Sequence, residues 1–312
     1  MDEPANRPHD VALSALARRC GIDFIDSTEP VRRDCIAPGG VRLSYLDWGG
    51  TGDPIVFLHG GALTAHTWDL VCIGLRDTHR CVALDLRGHG DSAWSDDYRI
   101  DTATEDVAAL VATLGAARCH LVGMSLGGNI AAHFAGAHPQ RTASLTLVDV
   151  GPGVDFGATR SLRNFVDDAQ DVDTIETIIA AALLVNPHAD RDKLVYRLQH
   201  SMQQTAEGRY RWKVDRRRPH DYDHILGKLA ELPELAARIA CPVLVARGAR
   251  SRIFSDEAAA RCAALFARGE WTRIADAGHN IQEDNPRELL DALKRLLIRV
   301  DSANPVNKLL PL

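Results

Sequence analysis

From Val41 onward, short apolar runs recur along the chain, separated by longer stretches in which apolar residues return every three or four positions. Val41-Arg42-Leu43-Ser44-Tyr45-Leu46 alternates as a half-buried strand does, and Gly49-Gly50-Thr51-Gly52-Asp53-Pro54 reads as the turn after it. Residues 55–58, 81–84, 120–122, 145–148 and 243–246 are apolar almost throughout, as in strands covered on both faces. Residues 104–114 and 129–138 lie between them with helical spacing. The alternation of strand and helix predicts an α/β fold with a mostly parallel, doubly wound sheet.

The alternation breaks between about 151 and 235. That stretch is helical by pattern over 171–184 and 190–203 and rich in charge. A polar turn, Glu207-Gly208-Arg209, and a strand-like piece, Tyr210-Arg211-Trp212-Lys213-Val214, follow. It reads as a helical cap inserted over the strand ends. The sheet resumes at Cys241, and a helix over 286–300 closes the pattern. Residues 1–35 read as an appended segment, in which Val11-Ala12-Leu13-Ser14-Ala15-Leu16-Ala17 predicts a short amphipathic helix. That helix would pack on the body or on a second subunit, which leaves a homodimer open. The expected division is an extension (1–35), a core (36–150 and 236–300), a cap (151–235) and a tail (301–312).

Composition narrows the function classes. With 312 residues, 46% of them hydrophobic, the chain can bury a large core. A net charge of −6 does not suggest a nucleic-acid surface, and Arg216-Arg217-Arg218 reads as a solvated turn. The seven cysteines are odd in number, scattered and without a C-x-x-C pair, which suits a reduced cytoplasm. The first thirty residues have no continuous apolar run, so no secretory leader is expected, and no stretch predicts a membrane span. Neither cofactor nor metal is expected; a small-molecule substrate is.

Chemistry enters at Gly123-Met124-Ser125-Leu126-Gly127-Gly128. A serine between glycines, after an apolar run and before a helical one, is the G-x-S-x-G nucleophile-elbow pattern. The turn is sharp, so small residues two before and two after the serine avoid side-chain clashes. Four other segments agree with it: His59-Gly60-Gly61-Ala62, Asp85-Leu86-Arg87-Gly88-His89-Gly90-Asp91-Ser92, Ala277-Gly278-His279-Asn280, and Asp149 directly after the apolar run at 145–148. A glycine pair after a strand can present a backbone amide to an oxyanion.

Together these segments resemble the α/β-hydrolase superfamily over roughly residues 40–300. The resemblance implies Ser125 as nucleophile, His279 as general base, and the amides of Gly61 and Leu126 as oxyanion donors. Members of the superfamily usually carry the triad acid three positions after a glycine that follows the strand at 243–246. Here that loop reads Gly248-Ala249-Arg250-Ser251-Arg252-Ile253 and holds no carboxylate. Asp149, 149 − 125 = 24 positions after the serine, is the natural substitute, with Asp256 and Glu257 as rivals. Some members place the acid at the end of that strand, among them (acetamidomethylene)succinate hydrolases, zearalenone lactonases and haloalkane dehalogenases.

The expected activity is a serine hydrolase acting on a small-molecule ester, lactone or activated amide. A C–C bond hydrolase, a haloperoxidase-like enzyme and a non-catalytic ligand-binding member of the fold are the alternatives. Haloalkane dehalogenase and epoxide hydrolase chemistry would need an aspartate at position 125. Trp68, Met124, Arg250 and Arg252 are candidate substrate contacts. With Arg160, Arg163, Arg209 and Arg211, the last two arginines raise the idea of an acidic substrate. His59, His89, His133 and His138 are expected to brace loops and helices.

Overall fold

In a computed structural model, which describes residues 11–155, 157, 171–185, 189–217 and 222–303, the apolar runs lie side by side. The strands are β1 (Val31–Ile36), β2 (Arg42–Asp47), β3 (Ile55–Leu58), β4 (Cys81–Leu84), β5 (Cys119–Met124), β6 (Thr142–Val148), β7 (Met202–Gln204), β8 (Tyr210–Trp212), β9 (Val243–Gly248) and β10 (Gly269–Ile274). The helices are α1 (Leu13–Arg19), α2 (Asp69–Ile73), α3 (Ile100–Thr113), α4 (Leu126–Ala137), α5 (Ile175–Val185), α6 (Arg191–Ser201), α7 (Tyr222–Ala230), α8 (Leu232–Ala236), α9 (Asp256–Ala263), α10 (Ile281–Asp284) and α11 (Pro286–Ala303). Eight strands form one sheet in the order β1-β2-β4-β3-β5-β6-β9-β10, and β7 and β8 form a separate hairpin. The β1/β2 and β2/β4 pairs are antiparallel; the others in the large sheet are parallel.

Burial of both faces explains why the central strands are apolar throughout. Successive side chains point to opposite faces. Val56, Leu58, Leu121, Leu145 and Val243 join a core with α3, α4 and α9. Ile55, Phe57, Val122, Val148 and Leu244 join a second core with α1, α2 and α11. A third cluster, including Ile178, Ile179, Leu198 and Trp212, holds α5, α6 and the β7–β8 hairpin together.

The N-terminal helix forms as α1, with Leu13, Leu16 and Ala17 buried. The strand after it was not legible. β1 crosses the expected boundary at residue 35 and joins the sheet edge by pairing with β2. Its exposed edge carries Arg32, Arg33 and Asp34, and only Cys35 is buried, so it has no apolar signature. All seven cysteines are free, six of them buried. Among the described residues, no helix is long and apolar enough to cross a membrane.

Candidate active site

Ser125 stands alone between the end of β5 and the start of α4, with φ 51° and ψ −115°. A non-glycine residue in such a conformation costs about 1–3 kcal/mol and persists where its surroundings hold it. Here its N–H donates to the Val148 carbonyl (3.1 Å). The flanking glycines are steric necessities. A Cβ on Gly123 would lie 2.3 Å from the Gly127 carbonyl oxygen, and one on Gly127 would lie 2.3 Å from that of Leu58. Leu126 opens α4, so its amide belongs to the first turn, which has no intrahelical acceptor, at the positive end of the helix dipole.

The β3–α2 loop runs beside the serine. A Cβ on Gly60 would lie 3.5 Å from Ser125 Cβ and collide with Met124 Sδ. Gly61 is exposed, and nothing stands within 4 Å of where its Cβ would be. His59 is buried; its Nδ1–H donates to the Gly60 carbonyl (2.7 Å) while Nε2 accepts from the Leu86 amide (3.0 Å). Both nitrogens are thus used in bracing. Asp85 adds a second brace, accepting from the Ala65 amide (2.7 Å), the Asp91 amide (3.0 Å) and Arg32 (2.9 Å).

His279 follows β10, and its Nδ1 lies 2.9 Å from Asp149 Oδ2. A carboxylate only accepts, so Nδ1 carries the proton and Nε2 is left with its lone pair. Asp149 directly follows β6 and is fully buried, with φ 52°. Its Oδ1 accepts from the Gly248 amide (3.1 Å), and its Oδ2 also accepts from the Ser251 hydroxyl (2.5 Å). The loop without a carboxylate therefore supplies two donors to the carboxylate that faces His279. No sequence signal near Ser251 indicated this beyond its place in that loop. Among the described residues, four non-glycines have positive φ: Ala62, Ser125, Asp149 and Asp276. They lie next to Gly61, between β5 and α4, directly after β6, and three residues before His279. Strained backbone gathers where the candidate groups are.

The rival carboxylates lie elsewhere. Asp256 pairs with Arg247 (3.0 Å) and Arg273 (3.8 Å), and Glu257 is exposed on α9. The candidate substrate contacts are placed as follows. Trp68 is fully buried against Phe57, with ring centroids 5.2 Å apart, and belongs to the core. Arg250 pairs with Asp276 on the surface, and Arg252 is exposed, because their loop turns its hydroxyl and amides inward instead. Met124 is buried beside Gly60. Arg209 and Arg211 pair with Asp173 and Asp171, while Arg160 and Arg163 lie outside the described residues.

Residues of the 151–235 stretch bond to the segment beyond His279 and to α2. Lys193 donates to the carbonyls of Glu283 (2.8 Å) and Asp284 (3.2 Å), just beyond His279. The Asp284 carboxylate accepts from the Gly278 amide (2.7 Å), and burial pushes that carboxyl above its usual range. Tyr196 donates to Asp69 Oδ2 (2.6 Å). His89 accordingly braces a loop, its Nδ1 on the Arg87 carbonyl, and His133 meets the Lys228 carbonyl of α7. His138 packs on Phe134.

One grouping was invisible in the sequence. His66, Asp69 and His200 bring ligand-type atoms within 4.8 Å of one another. His66 Nδ1 is 2.7 Å from Asp69 Oδ2, and its Nε2 is 2.9 Å from Arg32 Nη2. Metal binding through Nδ1 would shift the proton to Nε2, against a guanidinium donor, so the set fits a hydrogen-bonded clasp better than a metal site. The sequence also contains His220 and His224 at helical i, i+4 spacing; His220 lies outside the described residues.

Comparison with known proteins shows the family. The family model described as alpha/beta hydrolase fold matches residues 53–286. The chain is 30% identical over 264 residues to Esterase Rv0045c of Mycobacterium tuberculosis, covering 82% of this chain and 86% of that protein. A solved structure of that esterase superposes with a TM-score of 0.76 at 28% identity, covering 92% of this chain and 97% of the other. The sn-1-specific diacylglycerol lipase ABHD11 of Mus musculus is 27% identical, covering 82% of this chain and 85% of the lipase. The E-2-(acetamidomethylene)succinate hydrolase structure shares the fold, with a TM-score of 0.75 at 23% identity, covering 86% of this chain and 99% of the other.

Proposed function

This chain belongs to the alpha/beta hydrolase fold family, and on that premise we propose that it is a serine hydrolase. It would cleave a small-molecule ester, lactone or activated amide through an acyl-enzyme. The observation that carries this reading is the buried Asp149 carboxylate on His279 Nδ1, beyond the carboxyl end of β6, the strand beside the one that ends at the strained Ser125. Similarity to an esterase and to a diacylglycerol lipase supports hydrolysis of esters.

The mechanism follows from the donors and acceptors. With Nδ1–H held by Asp149, His279 Nε2 accepts the Ser125 proton as the hydroxyl attacks the carbonyl carbon. Negative charge then develops on the carbonyl oxygen, and the amides of Gly61 and Leu126 stabilise it. Losing one such donor costs on the order of 10²–10³ in kcat. Asp149 fixes the tautomer and stabilises the imidazolium, which then protonates the leaving group. Water, deprotonated by His279, attacks the acyl-serine and frees the enzyme.

A p-nitrophenyl ester tests the reading. The wild-type protein should release a burst of p-nitrophenol and be labelled by a fluorophosphonate, and Ser125→Ala should do neither. A burst that persists in Ser125→Ala would remove the serine from the mechanism. No turnover on a broad ester panel and no labelling would favour a ligand-binding protein.

A further inference from the structure

We propose that Ser251 is a positioning residue, whose hydroxyl holds the Asp149 carboxylate in line with His279; this rests on the serine-hydrolase reading. Three donors converge on that buried carboxylate: the Gly248 amide on Oδ1, and Ser251 Oγ and His279 Nδ1 both on Oδ2. The terminal torsion of an aspartate is soft and roughly two-fold, so its plane is set by whatever it bonds. Ser251 is suited to set it. Its hydroxyl proton goes to Asp149, which can only accept, while the oxygen receives the Ile253 amide at 3.4 Å.

The backbone that carries this hydroxyl is itself pinned. The Ser251 amide donates to the Gly248 carbonyl (2.8 Å), and the Ser251 carbonyl accepts from Arg247 Nη2 (3.1 Å). The same loop is laced to the segment that leads to His279. Ala249 N donates to the Ile274 carbonyl (2.8 Å) and Arg250 N to that of Ala277 (2.7 Å). A Cβ on Gly248 would lie 2.1 Å from the Gly278 carbonyl oxygen, so the two segments touch directly. Ser251 thus ties the acid to the loop that fixes the base. Removing the hydroxyl leaves Oδ2 with the imidazole alone and the carboxylate with two donors instead of three, so its plane is held less firmly toward His279.

The test compares side chains of one shape. On a p-nitrophenyl ester, Ser251→Val should lower kcat by about 10- to 100-fold, the scale of one hydrogen bond to a charged group, with KM nearly unchanged. Ser251→Thr, which keeps the hydroxyl, should stay within a few-fold of wild type. In an Asp149→Asn background, removing the hydroxyl should change kcat by no more than about twofold, because the effect runs through the carboxylate. Equal losses in Ser251→Val and Ser251→Thr, a fully active Ser251→Val, or losses that multiply in the Asp149→Asn background would each overturn the proposal. If Ser251→Val does not fold, Ser251→Ala against Ser251→Thr reads the same difference. Fluorophosphonate labelling of the wild type separates the two claims: without it the serine-hydrolase reading falls, and with it only the role of Ser251 is at stake.

Discussion

His279 Nδ1 and Asp149 Oδ2 meet at 2.9 Å although 130 positions separate them in the chain. The pair is asymmetric: the aspartate is sealed from solvent, while 18% of the histidine side chain remains exposed. Its acid side is closed and hydrogen-bonded, and its base side is open.

Replacing the sealed partner should be far more damaging than replacing its rival. Asp149→Asn is expected to lower kcat by about 10⁴-fold, because an amide permits the wrong imidazole tautomer. Asp256→Asn disturbs an ion pair on α9 and should stay within a few-fold of wild type. Steady-state rates on a p-nitrophenyl ester, with thermal melts to confirm folding, decide between them.

The acid should also be movable. Ser251 Oγ lies 2.5 Å from the oxygen that His279 contacts, so a carboxylate at position 251 comes within reach of the same nitrogen. Asp149→Asn/Ser251→Asp should recover at least about tenfold in kcat over Asp149→Asn alone.

The glycines of the site should differ sharply. In Gly127→Ala the new Cβ would sit 2.3 Å from the Leu58 carbonyl oxygen, a clash with backbone that cannot rotate away. A loss of about 2–3 kcal/mol or more is expected, together with the burst. Gly61→Ala meets nothing within 4 Å and should keep its stability within about 0.5 kcal/mol. Urea midpoints measure both.

Two histidines, His120 buried and His200 half-buried, predict how stability depends on pH. Loss of solvation around the charged ring pushes His120 and His200 down to about 4. Their normal value is 6.5, so the unfolded chain binds the extra protons as pH falls below it. Each histidine's contribution is complete above pH 6.5 and is lost as pH drops towards 4. The cost is about 2 kcal/mol per histidine between pH 7 and pH 5. Urea unfolding at the two pH values should show the loss, and His120→Gln should remove that residue's share.

How much of this was legible follows from the range of the forces involved. The strands 55–58, 81–84 and 243–246 could be read because burial on two faces leaves little room for polar residues. β1 could not be read, because an exposed edge tolerates Arg32, Arg33 and Asp34. Trp68 could be placed in a wall or in the core from its chemistry alone, and packing against Phe57 put it in the core.

The sequence by itself determined the elbow. The clash that demands Gly123 is with Gly127, four residues on, so that part of the signature is local, whereas Gly127 is demanded by the Leu58 carbonyl of the neighbouring strand β3. Which carboxylate faces His279, and that the Ser251 hydroxyl donates to it, was decided only by the tertiary structure. Both depend on β9 lying beside β6 and β10, a pairing set by the packing of the whole sheet. That order brings residues 149, 251 and 279 together beyond the carboxyl ends of neighbouring strands, where hydrogen bonds link them.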